Sequence, residues 1–199
     1  MSRVKEFDPD QALGAAMRLF WQRGYEATSM ADLVEATGVA RAGLYATFGS
    51  KHDLYVRALD RYVGERDPLL VERLAGPGPA LPAIKAVLDD FVAEADRAGD
   101  LGCFVVNAAV ERMPADTVVA LSVETSWETL EVALTSALVR ARGSGELVEA
   151  ADPRRLARFL LVILEGLRVV GKGRTGALRA RDAADEAFAA LTQWRPLLD

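Results

Sequence analysis

One cysteine and one histidine are all that this 199-residue chain offers as thiol or imidazole groups. Cys103 cannot form an intrachain disulfide, and with His52 it falls short of the roughly four ligands of a zinc or iron–sulfur site. There is no glycine-rich phosphate loop and no convincing pair of carboxylates, so a catalytic set is hard to assemble. A non-enzyme with no metal and no cofactor is expected. Long apolar runs are missing too. None approaches the roughly 18 residues that span a bilayer, and the opening MSRVKEFDPD lacks the apolar core of a secretory signal. The expectation is a cytoplasmic protein with no membrane partner.

Positive charge is also scarce for a nucleic-acid binder. The formal net charge is −5, which excludes a blanket electrostatic affinity for phosphate. The charge is unevenly spread, however. Through Arg57 there are seven basic and seven acidic residues, so the acidic excess lies further on. Were such an end to bind DNA, it would need two copies acting together, which would make dimerisation a mechanistic requirement.

A hydrophobic fraction of 51% with only 8 prolines is enough for a sizeable helical core. The most informative stretch is Ser29–Tyr55. Ser29 and Asp32 stand at capping-box spacing, Leu33 and Val34 give an apolar side, and Gly38 is placed to leave the helix in the left-handed conformation. Val39 can plug the angle before a second helix from about Ala40 to Ala46. There Leu44 and Phe48 point inward, while Arg41, Ala42 and Tyr45 share an outward side. A helical hairpin and a DNA-reading helix-turn-helix both fit this spacing.

Upstream, Asp8-Pro9-x-Gln11 is a helix start, and Leu13, Ala16, Met17 and Phe20 follow at helical spacing up to Gly24. Trp21 and Tyr25 read as core aromatics. Residues 1–7 form a short arm whose Arg3 and Lys5 could reach a phosphate. Ser50-x-x-Asp53 opens a fourth helix carrying Leu54, Tyr55, Ala58, Leu59 and Tyr62, with His52 in its first turn in a surface or packing role.

Phe20-Trp21-x-x-Gly24-Tyr25-x-x-Thr28-Ser29-Met30, Gly38-Val39 and Leu44-Tyr45-x-x-Phe48-x-x-Lys51-x-x-Leu54 together resemble the DNA-binding domain of TetR-family repressors over roughly Asp8–Tyr55. The resemblance implies an all-α fold. A three-helix helix-turn-helix domain, residues 1–50, would precede a helical effector-binding and dimerisation domain, residues 51–199. It implies a homodimeric repressor of double-stranded operator DNA, released by a small-molecule effector. The DNA-facing set would be Thr28, Ser29, Arg41, Ala42, Gly43, Tyr45, Thr47 and Lys51. Ala40 and Gly43 depart from the family, which usually has a small hydroxyl or polar residue at the first position and Thr or Ser at the second, so readout rests heavily on Arg41.

Further along, Asp67-Pro68 breaks the helical pattern, leaving a short helix Leu69–Leu74 before the loop Gly76–Pro79. Amphipathic helices follow from about Leu81 to Ala98 and from Pro114 or Asp116 to about Ala141. Asp152-Pro153 starts a helix apolar around nearly its whole circumference, and a last helix runs from about Arg181 to Trp194. These two, paired with those of a second copy, predict a four-helix dimer interface. Phe91, Cys103, Phe104, Asn107, Glu111, Trp127 and Glu165 are the candidate effector contacts. Asn107 and Glu111, one turn apart, fit equally well as groups that satisfy each other or nearby backbone. Cys103 has no Lys, Arg or His within five residues on either side, so it reads either as a small hydrophobe or as a thiol sensor activated by tertiary neighbours. A helical adaptor that binds another protein is the remaining alternative.

Overall fold

A computed structural model describes residues 7–96 and 101–192, and all regular structure among them is helical. The helices are α1 (Pro9–Arg23), α2 (Met30–Thr37), α3 (Arg41–Phe48), α4 (Lys51–Ala75), α5 (Ala80–Asp96), α6 (Phe104–Glu111), α7 (Thr117–Gly143), α8 (Pro153–Val170) and α9 (Gly176–Thr192). The basic arm at residues 1–6, the expected end of α5 at Ala98 and Gly99, and Trp194 lie outside the described residues.

The helix starts follow from local side-chain chemistry. The Asp8 carboxylate accepts from the N–H groups of Asp10 and Gln11 with Pro9 at the first helical position, and Asp152 does the same for Arg154 and Arg155 ahead of α8. Ser29 and Asp32 form a complete capping box on α2. Gly38 ends that helix at φ 68°, a conformation that costs a residue with a Cβ about 1 kcal/mol or more. Ser50 and Asp53 repeat the reciprocal bonding at the start of α4.

Helix α4 differs from expectation. It continues without a break to Ala75 with Pro68 inside it, instead of stopping and restarting at Leu69. A proline inside a helix forfeits one N–H and presses its ring on the carbonyl four residues back. Here that residue is Gly64, whose missing side chain removes one source of crowding on that turn of the helix.

The chain divides into two compact units. One comprises the residues up to Glu65 together with Asn107–Val123; the other comprises Arg66–Val106 and the residues from Glu124 onward. In the first, α1 packs on α2 and α2 on α3. Phe20, Leu33, Leu44, Leu54, Tyr55 and Leu59 are among its fully buried side chains, and Val39 plugs the turn at 6% exposure. The aromatics lock this core: Phe20 and Tyr25 each meet Tyr55 edge-on at 5.1 Å, and Trp21 meets Tyr62 at 5.0 Å. Trp21 and Tyr25 are therefore packing residues.

In the second unit α5, α8 and α9 pack on one another around Ile84, Leu88, Phe91, Leu134, Leu160 and Leu164. The start of α5 is closed from afar by Glu146, whose carboxylate accepts from the N–H groups of Ala80 at 3.0 Å and Leu81 at 2.9 Å. Burial works against that charge, but these two N–H groups and the Ser144 hydroxyl hold the carboxyl below its ordinary value.

Candidate nucleic-acid interface

Helix α3 is anchored by Leu44 and Phe48, both buried, and turns Arg41, Ala42, Tyr45 and Ala46 outward. The two long side chains on that outward side are coupled. Arg41 Nη2 donates to the Tyr45 hydroxyl at 3.2 Å, and its guanidinium carbon lies 5.5 Å from the Tyr45 ring centroid. One turn apart on a short helix, they present a planar cation beside a phenol. That pair suits base-edge and phosphate contacts in a major groove.

The rest of the expected DNA-facing set is sorted by burial. Ser29 is exposed at the cap of α2, at a helix N-terminus, an end that favours a phosphate. Thr47 is half-buried, and its carbonyl accepts from Arg57 at 3.5 Å. Lys51 is half-buried, with its ammonium 4.2 Å from the Tyr25 ring centroid. Two of the expected residues are engaged within the fold. Thr28 is fully buried, and its hydroxyl donates to the Gly24 carbonyl at 2.7 Å, so it closes the end of α1. Gly43 lies on the side of α3 toward Val39 and Phe7, where an added Cβ would stand 3.1 and 3.3 Å from their side chains. Its lack of a side chain serves packing.

A polar strap, unforeseen in the sequence, holds the turn between α1 and α2. The Glu111 carboxylate at the end of α6 accepts from the backbone N–H groups of Tyr25 and Glu26, both at 2.9 Å. Arg112 pairs with Glu26 and, at 3.1 Å, with Asp116. Asp116 also meets His52 Nε2 at 2.8 Å. Burial pushes the Asp116 carboxyl up, but the Val119 N–H, Arg112 and His52 outweigh it and hold it below the usual aspartate value. The Tyr25 ring has Lys51 at 4.2 Å and Arg112 at 4.4 Å from its centroid.

Two family models match this chain: bacterial regulatory proteins of the tetR family over residues 12–58, and the tetracyclin repressor-like C-terminal domain over residues 80–191. The chain belongs to the TetR family of transcriptional regulators. It is 35% identical to the HTH-type transcriptional regulator YezE of Bacillus subtilis over 193 residues, covering 96% of this chain and 100% of that one. It is also 35% identical to the transcriptional repressor ComR of Escherichia coli over 180 residues, covering 88% of this chain and 83% of ComR. Among solved structures, a cysteine-substituted CifR complexed with 26-bp double-strand operator DNA superposes with a TM-score of 0.84 at 31% identity, covering 96% of this chain and 100% of that one. Among the described residues of this TetR-family chain no helix is long and apolar enough to cross a membrane.

The expected effector contacts divide between the units. Phe91, Cys103, Phe104, Trp127 and Glu165 belong to the second; Asn107 and Glu111 belong to the first. Glu111 follows the other of its two expected readings, since both its oxygens accept from backbone N–H groups. Phe91, Cys103 and Phe104 are buried. Cys103 has the tertiary neighbour that its sequence surroundings lack: Arg66 Nη1 donates to its sulfur at 3.3 Å. Burial raises the Glu165 carboxyl to about 7, with Arg66 opposing and Asp67 and Glu94 adding to the rise. The Trp127 indole N–H is buried without an acceptor among the described residues.

Proposed function

We propose that this TetR-family regulator is a homodimeric repressor that reads a near-palindromic operator with two copies of α3 and is released by a small-molecule effector held in the second unit. The outward Arg41–Tyr45 pair on an otherwise anchored α3 carries the reading. Two such helices in successive major grooves lie roughly 34–36 Å apart. An effector lowers DNA affinity only to the extent that it binds the DNA-incompatible arrangement better. The protein acts in the cytoplasm by binding, without turnover.

The dimer forms through α8 and α9. Helix α8 buries Leu156, Leu160, Leu164 and Leu167 but leaves Phe159, Val162, Val169 and Val170 exposed, and α9 exposes Leu178. Apolar residues on a second face of a helix in a small domain favour a twofold mate.

The test is selection of bound sequences from random duplex DNA, followed by affinity measurements on the recovered site. A motif with two half-sites is expected, and Arg41→Ala is expected to weaken binding about 10- to 100-fold per half-site, the loss of a bidentate base contact of roughly 1–3 kcal/mol in each. No enriched motif at any salt concentration would refute the operator-reading function and favour a helical adaptor.

One observation supports a second route of release. The Arg66 guanidinium at the Cys103 sulfur favours the thiolate, the reactive form of cysteine. A thiol-sensing repressor predicts that oxidant releases DNA from the parent protein and not from Cys103→Ser.

A further inference from the structure

The second unit buries more hydrogen-bonding capacity than it uses where α4, α5 and α8 bring Arg66, Phe91, Glu94, Glu165 and Arg168 together. Arg168 is 6% exposed and sits over Phe91, its guanidinium carbon 3.7 Å from the ring centroid. Its Nη1 donates to Glu165 at 3.0 Å. Its Nε and Nη2 are shut off from solvent and make no hydrogen bond among the described residues. Glu94 approaches Nε only to 3.7 Å, beyond hydrogen-bonding range. Glu94 is itself only loosely paired with Arg66, at 3.4 and 3.5 Å.

Nε and Nη2 share one edge of the guanidinium and point two N–H donors in parallel. That edge matches the two oxygens of a carboxylate. Leaving both donors of a buried cation empty is costly, and native interiors rarely do so. Burial pushes Glu165, which already engages Nη1, toward its neutral form and so lessens its repulsion of an incoming anion, which leaves Glu94 as the carboxylate that competes for the edge. An open groove of about 560 Å³ between α4 and α5 has Arg66 and Glu94, the two residues paired beside that edge, on its wall with Leu69 and Leu70.

Building on the effector-released repressor reading, we infer that the free Nε–Nη2 edge of Arg168 is the carboxylate fork of the effector site. The ligand class is a small molecule with one carboxylate and an apolar body, admitted past Arg66 and Glu94. Its carboxylate takes the fork that Glu94 approaches without filling, and its apolar part lies along Phe91.

The experiment is calorimetric titration of the full-length protein at pH 6 with two matched pairs of probes, benzoate against benzamide and hexanoate against hexanamide. At least one acid is expected to bind tenfold or more tightly than its amide. Arg168→Lys keeps the charge but loses the fork, and is expected to weaken acid binding at least tenfold. Glu94→Gln removes the competing carboxylate and is expected to tighten it. Equal affinity for acid and amide, no binding of either acid, or unchanged acid affinity in Arg168→Lys would overturn the assignment. If Arg168→Lys fails to fold, Glu94→Gln decides, and unchanged or weaker acid binding there overturns it. Operator affinity is measured on the same preparations. Lost acid preference with operator binding intact sinks the fork alone, whereas absent operator binding sinks the repressor reading and leaves the calorimetric result standing.

Discussion

Glu165 couples this protein's stability to pH. Its carboxyl sits at about 7 in the folded chain against an ordinary value of 4.5, because burial disfavours its charge. Between those values the folded state holds a proton that the unfolded state has released, so this group's contribution is full below about 4.5 and is lost as pH rises through about 7. The two values correspond to a loss on the order of 3 kcal/mol. Urea denaturation of the parent protein should therefore show stability falling across pH 4.5–7.5, and Glu165→Gln should flatten that slope. An unchanged slope in Glu165→Gln would reject the assignment. Asp116 and Glu146 act in the opposite sense, but their carboxyls are held low and titrate at the acid end. Glu165 was legible in sequence as a carboxyl within an apolar helix. Its Arg168 partner was within reach of the same reading, three residues on.

At the scale of elements, α6 is tied to the α1–α2 turn by one side chain. Glu111→Ala leaves the Tyr25 and Glu26 N–H groups without their acceptor, and each lost bond to a charged group costs about 1–3 kcal/mol less whatever water restores. The expected outcome is faster amide hydrogen exchange at Tyr25 and Glu26 and a lower melting temperature; unchanged exchange at both amides would show the strap to be unimportant. The same scale explains which elements were legible. The starts of α1, α2, α4 and α8 depend on side chains within three residues of the backbone that they cap, so Asp8, Ser29, Ser50 and Asp152 announce them. Pro68 misled because a proline's lost N–H is visible locally, while the continuation of α4 through it to Ala75 is a property of the folded helix. The roles of Glu111 and Cys103 depend on partners 86 and 37 positions away, which no local pattern records.

For the whole molecule, the decisive quantity is association. Val162 is 71% exposed on α8, away from the face that packs in the core. Val162→Glu should leave the protomer folded, since so exposed a side chain contributes little to the core, while placing a charge on each side of the proposed twofold contact. Sedimentation should then show a monomer. Operator affinity should fall further than any single α3 substitution lowers it, because linked half-sites multiply affinity. A dimer that survives Val162→Glu would move the interface elsewhere. The fold class and the helix-turn-helix were readable because composition and capping both act locally. Which side of α8 stays exposed was not readable, because the helix is apolar nearly all round and only packing in the core tells its two sides apart.

The strap also limits how such a regulator can be recombined. Residues 107–123 belong to the same compact unit as the helix-turn-helix although they follow it by dozens of positions. A hybrid joined once, after Glu65, would set the Tyr25 and Glu26 amides against a foreign α6 and α7, with no guarantee of a carboxylate at Glu111's place or of an acid to meet His52. Transplanting the reading head onto another sensor therefore calls for two inserts, with the 107–123 segment travelling as a cassette alongside the N-terminal helices.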